Sequence, residues 1–356
     1  MARVYANVAY GPTQKEQANI YEPEDYNFAN QTGPDPKGVI LYVHGGGWNG
    51  GDKDITLANA ACFGAAGATE ADLPTYQSAI MADDGFLVVD TNYSLLGPDP
   101  VPDPYPCLAP RGYGFYPNNI NEIAELVKFL AIEGYATGPN QATWQTMQRY
   151  VASYGLFVTG TSAGGQLSVA GAFAAASTTG YWPRGMLNVV GPMNLQDSPT
   201  NPLTPEAIAL VDNYCQSNPA SIAGASPYLQ RTNYTSYPNW DKLSDPLEYQ
   251  TKTWIGNWYN TNDNLVPQTA IVPFAEWLAS NLGPGFTLTT QVTQGNPVPG
   301  PPNHWITSSI SETTLPTANR VFYFGVNYPN VQQKVNPEQG MVYPRPYIYR
   351  TPRVPS

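Results

Sequence analysis

The chain has 356 residues, 42% of them hydrophobic and 12% charged, with a net charge of −11. That length and apolar content suffice for a sizeable core in one large α/β domain or two modest ones, and few charges beside 12% aromatics exclude a disordered body. The acidic balance without a basic run excludes nucleic acid and anionic membrane as partners, and no apolar stretch reaches the roughly 18 residues of a membrane span.

The start, Met1-Ala2-Arg3-Val4-Tyr5-Ala6-Asn7, lacks an apolar core, so no secretory signal peptide is expected. Val4 to Tyr10 and Ala18 to Tyr21 read as an antiparallel hairpin for one sheet edge. Short apolar runs of buried-strand character follow: Val39–Val43, Phe86–Val89, Leu156–Thr159, Met186–Val190, Trp254–Trp258 and Phe286–Val292. Helical patterns lie between them. Ile120 to Ile132 has apolar residues at i, i+3, i+4 and i+7, and Ala163 to Ala176 is rich in small residues that suit tight packing on a sheet. Pro267 to Leu282 reads as a helix beginning just after Asp263. This alternation predicts an α/β fold with a mostly parallel central sheet and helices on both faces.

Three stretches interrupt the alternation. Gly97 to Pro117 holds seven prolines and cannot be helix. Residues 196–250 are polar and are expected to form a lid-like insertion over the carboxyl edge of the sheet. The Pro/Tyr-rich tail, 321–356, suits extended chain and is expected to act as a docking arm outside a catalytic domain of residues 1–320, joining copies of the chain or a larger assembly.

Cys62, Cys107 and Cys215 are too few and too scattered for a metal site or a disulfide framework. The chemistry concentrates elsewhere. Gly160-Thr161-Ser162-Ala163-Gly164 fits G-x-S-x-G, directly after a strand and before a helix. A sharp turn there exposes one side chain, and the helix N-terminus points its N–H groups at the same spot. His44-Gly45-Gly46-Gly47-Trp48 follows another strand and offers backbone donors with no side chain in the way. Only two histidines exist, His44 and His304. With His44 pinning the glycine loop, His304 remains as the base for Ser162. Asp263, after a strand and before a helix, orients His304 in the order Ser…Asp…His; Asp241 and Asp245 are weaker substitutes inside the insertion.

Together HGGGW (44–48), VVDTNYSL (88–95), GTSAGG (160–165), NTNDNLVP (260–267) and NHW (303–305) resemble the α/β-hydrolase serine esterases, nearest to the acetyl-esterase, carboxylesterase and hormone-sensitive-lipase-like group. The likeness spans roughly residues 38–310. It implies Ser162 as nucleophile, Asp263 as acid, His304 as base, and an oxyanion hole from the N–H groups of Gly45 or Gly46 and Ala163. It implies no metal or organic cofactor. The chain departs from the family at Thr161, where relatives carry Asp, Glu or His, and at Ser94, where they carry Arg. Trp48, Tyr93 and Trp305 are expected as pocket walls. The expected activity is hydrolysis of short acyl or O-acetyl esters, with acetylated carbohydrate as a fitting substrate; amide hydrolysis is the neighbouring chemistry. The alternative reading is a structural or adhesive component of a larger particle such as a virion, built on a hydrolase fold with or without its activity.

Overall fold

The computed structural model describes residues 3–10, 17–54, 74–83, 85–96, 114–132, 140–241, 254–260, 263, 265–281, 287–293, 333–335 and 342–344. One sheet organises most of them. Its strands are β1 (Arg3–Ala9), β2 (Gln17–Glu22), β3 (Val39–Val43), β4 (Leu87–Thr91), β5 (Leu156–Thr161), β6 (Gly185–Val189), β7 (Trp254–Asn260) and β8 (Thr287–Thr293), in the order β1-β2-β4-β3-β5-β6-β7-β8. β1 and β2 form the expected antiparallel hairpin, β2 is antiparallel to β4, and every other pairing is parallel.

The central strands are apolar on both sides because helices cover both sides. Leu41, Val43, Val89 and Val158 join a core with α2 (Asn118–Ala131), α3 (Gln141–Tyr154) and α4 (Ala163–Thr179). Ile40, Tyr42 and Val88 point the other way, to Met81 and Ala82 of α1 (Pro74–Asp83). Residues 163–173 of α4 are all buried, which its Ala and Gly content permits, since small side chains let backbones approach closely. Its outer end meets an aromatic cluster in which Phe173 contacts Trp182, Tyr234 and Phe274.

The insertion between β6 and β7 is more ordered than its polar composition suggests. Its described part holds α5 (Pro205–Cys215), α6 (Pro219–Ala225) and α7 (Pro227–Tyr234), each with Pro in its first turn. Thr204 Oγ1 accepts from Ala207 N at the start of α5, and Asn218 Oδ1 accepts from Ala220 N at the start of α6. Residues 242–250 lie outside the described residues.

The helix expected from Pro267 is split. A single 3₁₀ turn, Gln268–Ala270, precedes α8 (Val272–Asn281). Pro273 has no N–H to donate backwards, so the first turn cannot propagate and the α-helix restarts around that proline. In the tail, β9 (Gln333–Val335) and β10 (Val342–Pro344) pair antiparallel; its other residues, and most of Gly97–Pro117, lie outside the described residues. Among the described residues no helix is long and apolar enough to cross a membrane.

Candidate active site

Ser162 sits between the last residue of β5 and the first of α4, at φ 57° and ψ −125°. A side chain rarely occupies that region, so the turn holds strain of about 1–3 kcal/mol. The surroundings leave it no alternative. Ser162 N–H donates to Val189 O of β6 at 2.8 Å, and Gln166 N–H returns to Ser162 O at 3.2 Å. A Cβ on Gly164 would lie 2.1 Å from Val43 O and 2.3 Å from His44 O, so only glycine lets α4 start against the end of β3. The N–H of Ala163, the first residue of α4, has no acceptor within the helix.

The loop after β3 lies against this turn. A Cβ on Gly45 would stand 2.8 Å from Thr161 O and 3.3 Å from the Ser162 Cβ, so the Gly45 backbone passes beside the serine. His44 is 1% exposed, donates from Nδ1 to Gly45 O at 2.7 Å and stacks on Tyr93 at 4.5 Å. Burial, with the nearby Lys53 charge, pushes its imidazole down to about 4, so it is neutral and structural at pH 7. Trp48 is a junction. Its ring stacks on Tyr214 of α5 at 4.5 Å, its Nε1–H donates to Gln166 of α4 at 3.1 Å, and its carbonyl accepts from Leu96 N–H at 2.9 Å.

The far end of this loop is anchored by polar groups. Lys53 N–H donates to Asn92 Oδ1 at 2.8 Å, and Asn92 Nδ2 donates to Asp52 Oδ2 at 3.2 Å. The buried Lys53 ammonium reaches Asn7 Oδ1 of β1 at 2.7 Å and pairs with Asp54.

Asp263 is buried, three residues past β7. Its Oδ1 accepts from the N–H groups of Leu265 (2.8 Å) and Val266 (2.9 Å), folding the chain after the strand back toward the serine. Asp241 is exposed and stands elsewhere. Its neighbour Asn239 donates from Nδ2 to Gly180 O at 2.8 Å, at the C-terminus of α4, a helix about 25 Å long that begins at Ser162. Asp245, His304 and Trp305 lie outside the described residues.

Ser162, Ala163, Gly47 and Trp48 line a narrow slot of about 30 Å³. Leu265, Val266 and Pro267 form one side, and Leu203, Ala207, Leu210 and Val211 of the insertion form the roof. Tyr93 is not among the lining residues. It is 3% exposed and packed behind His44, because the strand-end loop that carries it turns beneath the glycine loop. The insertion was expected over the carboxyl edge, but its lining residues were not singled out, although Thr204-Pro205-Glu206 ahead of an apolar-periodic run is a helix-start signal. Tyr214 and Gln166, which fix Trp48, carried no signal at all.

No known protein-family profile matches the sequence, and no curated protein matches it. Solved structures do. An esterase from Pyrobaculum calidifontis aligns with TM-score 0.50 at 17% identity, covering 82% of this chain and 75% of its own. A thermostable esterase from Pseudomonas putida aligns with TM-score 0.52 at 14% identity, covering 90% and 80%. With its eight-stranded order, its strand–serine–helix turn and these neighbours, the chain has the α/β-hydrolase fold.

Proposed function

We propose that the chain is a serine esterase that cleaves carboxylic esters through an acyl-enzyme. The observation that carries this reading is a serine held at positive φ, beside a glycine loop and at the mouth of an apolar slot. Ser162 Oγ attacks the ester carbonyl carbon while His304 takes its proton. The negative charge that develops on the carbonyl oxygen is met by the N–H groups of Ala163 and of Gly45 or Gly46. Collapse of the tetrahedral intermediate expels the alcohol, which takes the proton from His304, and water repeats the sequence to release the acid. Asp263 orients the imidazole and stabilises its protonated form. The described part of the slot is narrow and apolar, which suits acetyl and other short acyl esters, including O-acetyl groups on carbohydrate.

A p-nitrophenyl ester series tests this directly. The native chain should favour acetate over longer acyl groups, and fluorophosphonate should label Ser162 and abolish turnover. Full activity in Ser162→Ala, or labelling elsewhere, overturns the assignment. The rate should fall on the acid side as His304 protonates, and a kcat/KM profile flat from pH 4 to 8 argues against His304 as base.

A further inference from the structure

A second and much larger concavity lies away from the serine. β1, the loop 28–31 and α3 enclose an open groove of about 1010 Å³. We propose that this groove is a glycan-binding site, taking a stretch of an uncharged polysaccharide. The inference does not depend on the esterase reading.

The groove has an apolar floor that is already fixed. The rings of Tyr5 and Phe28 meet edge-to-face at 6.0 Å. Glu22 holds both, its Oε2 accepting from Tyr5 OH at 3.1 Å and from Phe28 N–H at 2.6 Å. The rim is built from uncharged hydrogen-bonding groups: the exposed amides of Gln31 and Gln145, the exposed amide of Asn140, whose Nδ2 also donates to Ala9 O at 3.3 Å, and the hydroxyl of Thr143. Ala6, Ala29 and Ala142 keep the space between them open. Among the described lining residues the only charge is Arg149, whose Nη2 donates to Thr146 Oγ1 at 2.9 Å, and none is acidic.

These features choose among ligand classes. A metal or a polyphosphate needs clustered charge, which the described lining residues lack. A lipid would gain nothing from the exposed amide rim. Sugars fit both surfaces: amides donate and accept as hydroxyls do, and the half-buried Tyr5 ring, backed by the buried Phe28, offers a face for the C–H side of a pyranose. An added peptide strand is the other use of an edge. Here β1 has a register shift between Tyr5 and Val8, Asn7 sits at φ 55°, and Asn7 N–H is already donated to Asn19 Oδ1 at 2.9 Å. A broken edge of this kind is a poor template for pairing. The groove lies four strand spacings from β5, about 19 Å, so a chain held there leaves the Ser162 slot free.

Native gel electrophoresis through embedded xylan, β-glucan, galactomannan and arabinogalactan tests the proposal on the full chain. At least one polysaccharide should retard the native protein and Ser162→Ala equally. The exposed-site double variant Gln31→Ala/Gln145→Ala should bind that polysaccharide at least tenfold more weakly, with unchanged circular dichroism and unchanged p-nitrophenyl acetate turnover. Ala142→Trp, which fills the groove, should do the same. No retardation in any of the four gels overturns the proposal, as does binding undiminished in both variants. Dimerisation that Val8→Pro abolishes also overturns it, assigning the edge to strand pairing.

Discussion

The two sides of the Ser162 slot are made in different ways. On one side the serine turn and the glycine loop are positioned by backbone: positive φ at Ser162, and contacts too close for any Cβ at Gly45 and Gly164. On the other, the roof is positioned by side chains of α5, with Leu210 and Val211 packed over the opening. Backbone placement fixes where the proposed oxyanion would be stabilised and tolerates almost no substitution. Side-chain placement would set how much acyl group fits and can be re-cut a methylene at a time. On the proposed reading, chemistry and selectivity rest on opposite walls of one cavity.

Gly164→Ala tests the rigid wall most severely. Its Cβ would strike two backbone carbonyls, neither of which can turn aside, so the turn must move bodily. Loss of more than about 10³ in kcat/KM, or failure to fold, is expected; native turnover in a soluble variant would show that the wall yields. Gly45→Ala is next. The contact with Thr161 O is 2.8 Å, and a loop displaced by a few tenths of an ångström should cost about 10²-fold in kcat with little change in KM. A change confined to KM would remove the loop from the transition state.

The pH dependence of stability probes the support behind that wall. His44 is held neutral by burial down to about pH 4, so below about pH 6.5 the unfolded chain binds a proton that the fold excludes. Stability is full above pH 6.5 and falls by up to about 3 kcal/mol as pH drops to 4. Asp90 acts with the opposite sign. Burial raises its carboxyl well above the usual range, so its contribution is full below about pH 4 and fades as pH rises. Melting curves from pH 4 to 8 should lose the acid decline in His44→Gln and the decline at higher pH in Asp90→Asn. An acid limb as steep as native in His44→Gln breaks this account.

The smallest effect belongs to the roof. Leu210→Ala trims a half-buried side chain and should lower stability by only about 1 kcal/mol. It should also raise the ratio of butyrate to acetate ester turnover about tenfold. An unchanged ratio would mean that α5 does not limit the acyl group.

Much of this could be read in advance because strands and turns are local. Val39–Val43 and Leu156–Thr159 are short, mostly apolar runs ended by glycine-containing turns, and they became β3 and the first part of β5. The turn at Ser162 is dictated by its own glycines and neighbours. What escaped is set by tertiary contact. α3 is polar over most of its surface and buries Trp144, Met147 and Val151, an i, i+3, i+7 stripe that was legible but sparse. Tyr93 lies in a strand-end segment like a pocket residue, yet only the fold decides that its ring goes behind His44. The split before α8 was in the sequence as Pro273, six residues past the proline that marked the expected start.

The backbone at Ser162 has a consequence for how such a chain could change over generations. At φ 57° and ψ −125° glycine is at ease and serine is not. Ser162→Gly would relieve the strain while loosening the unfolded chain, a net gain of about 1 kcal/mol. Drift toward stability alone therefore leads away from serine at this one position. A protein kept only for its shape, as a particle component would be, has an open route to a more stable and inert form. A higher melting temperature in the Ser162→Gly protein would show that this chain stands uphill of that form.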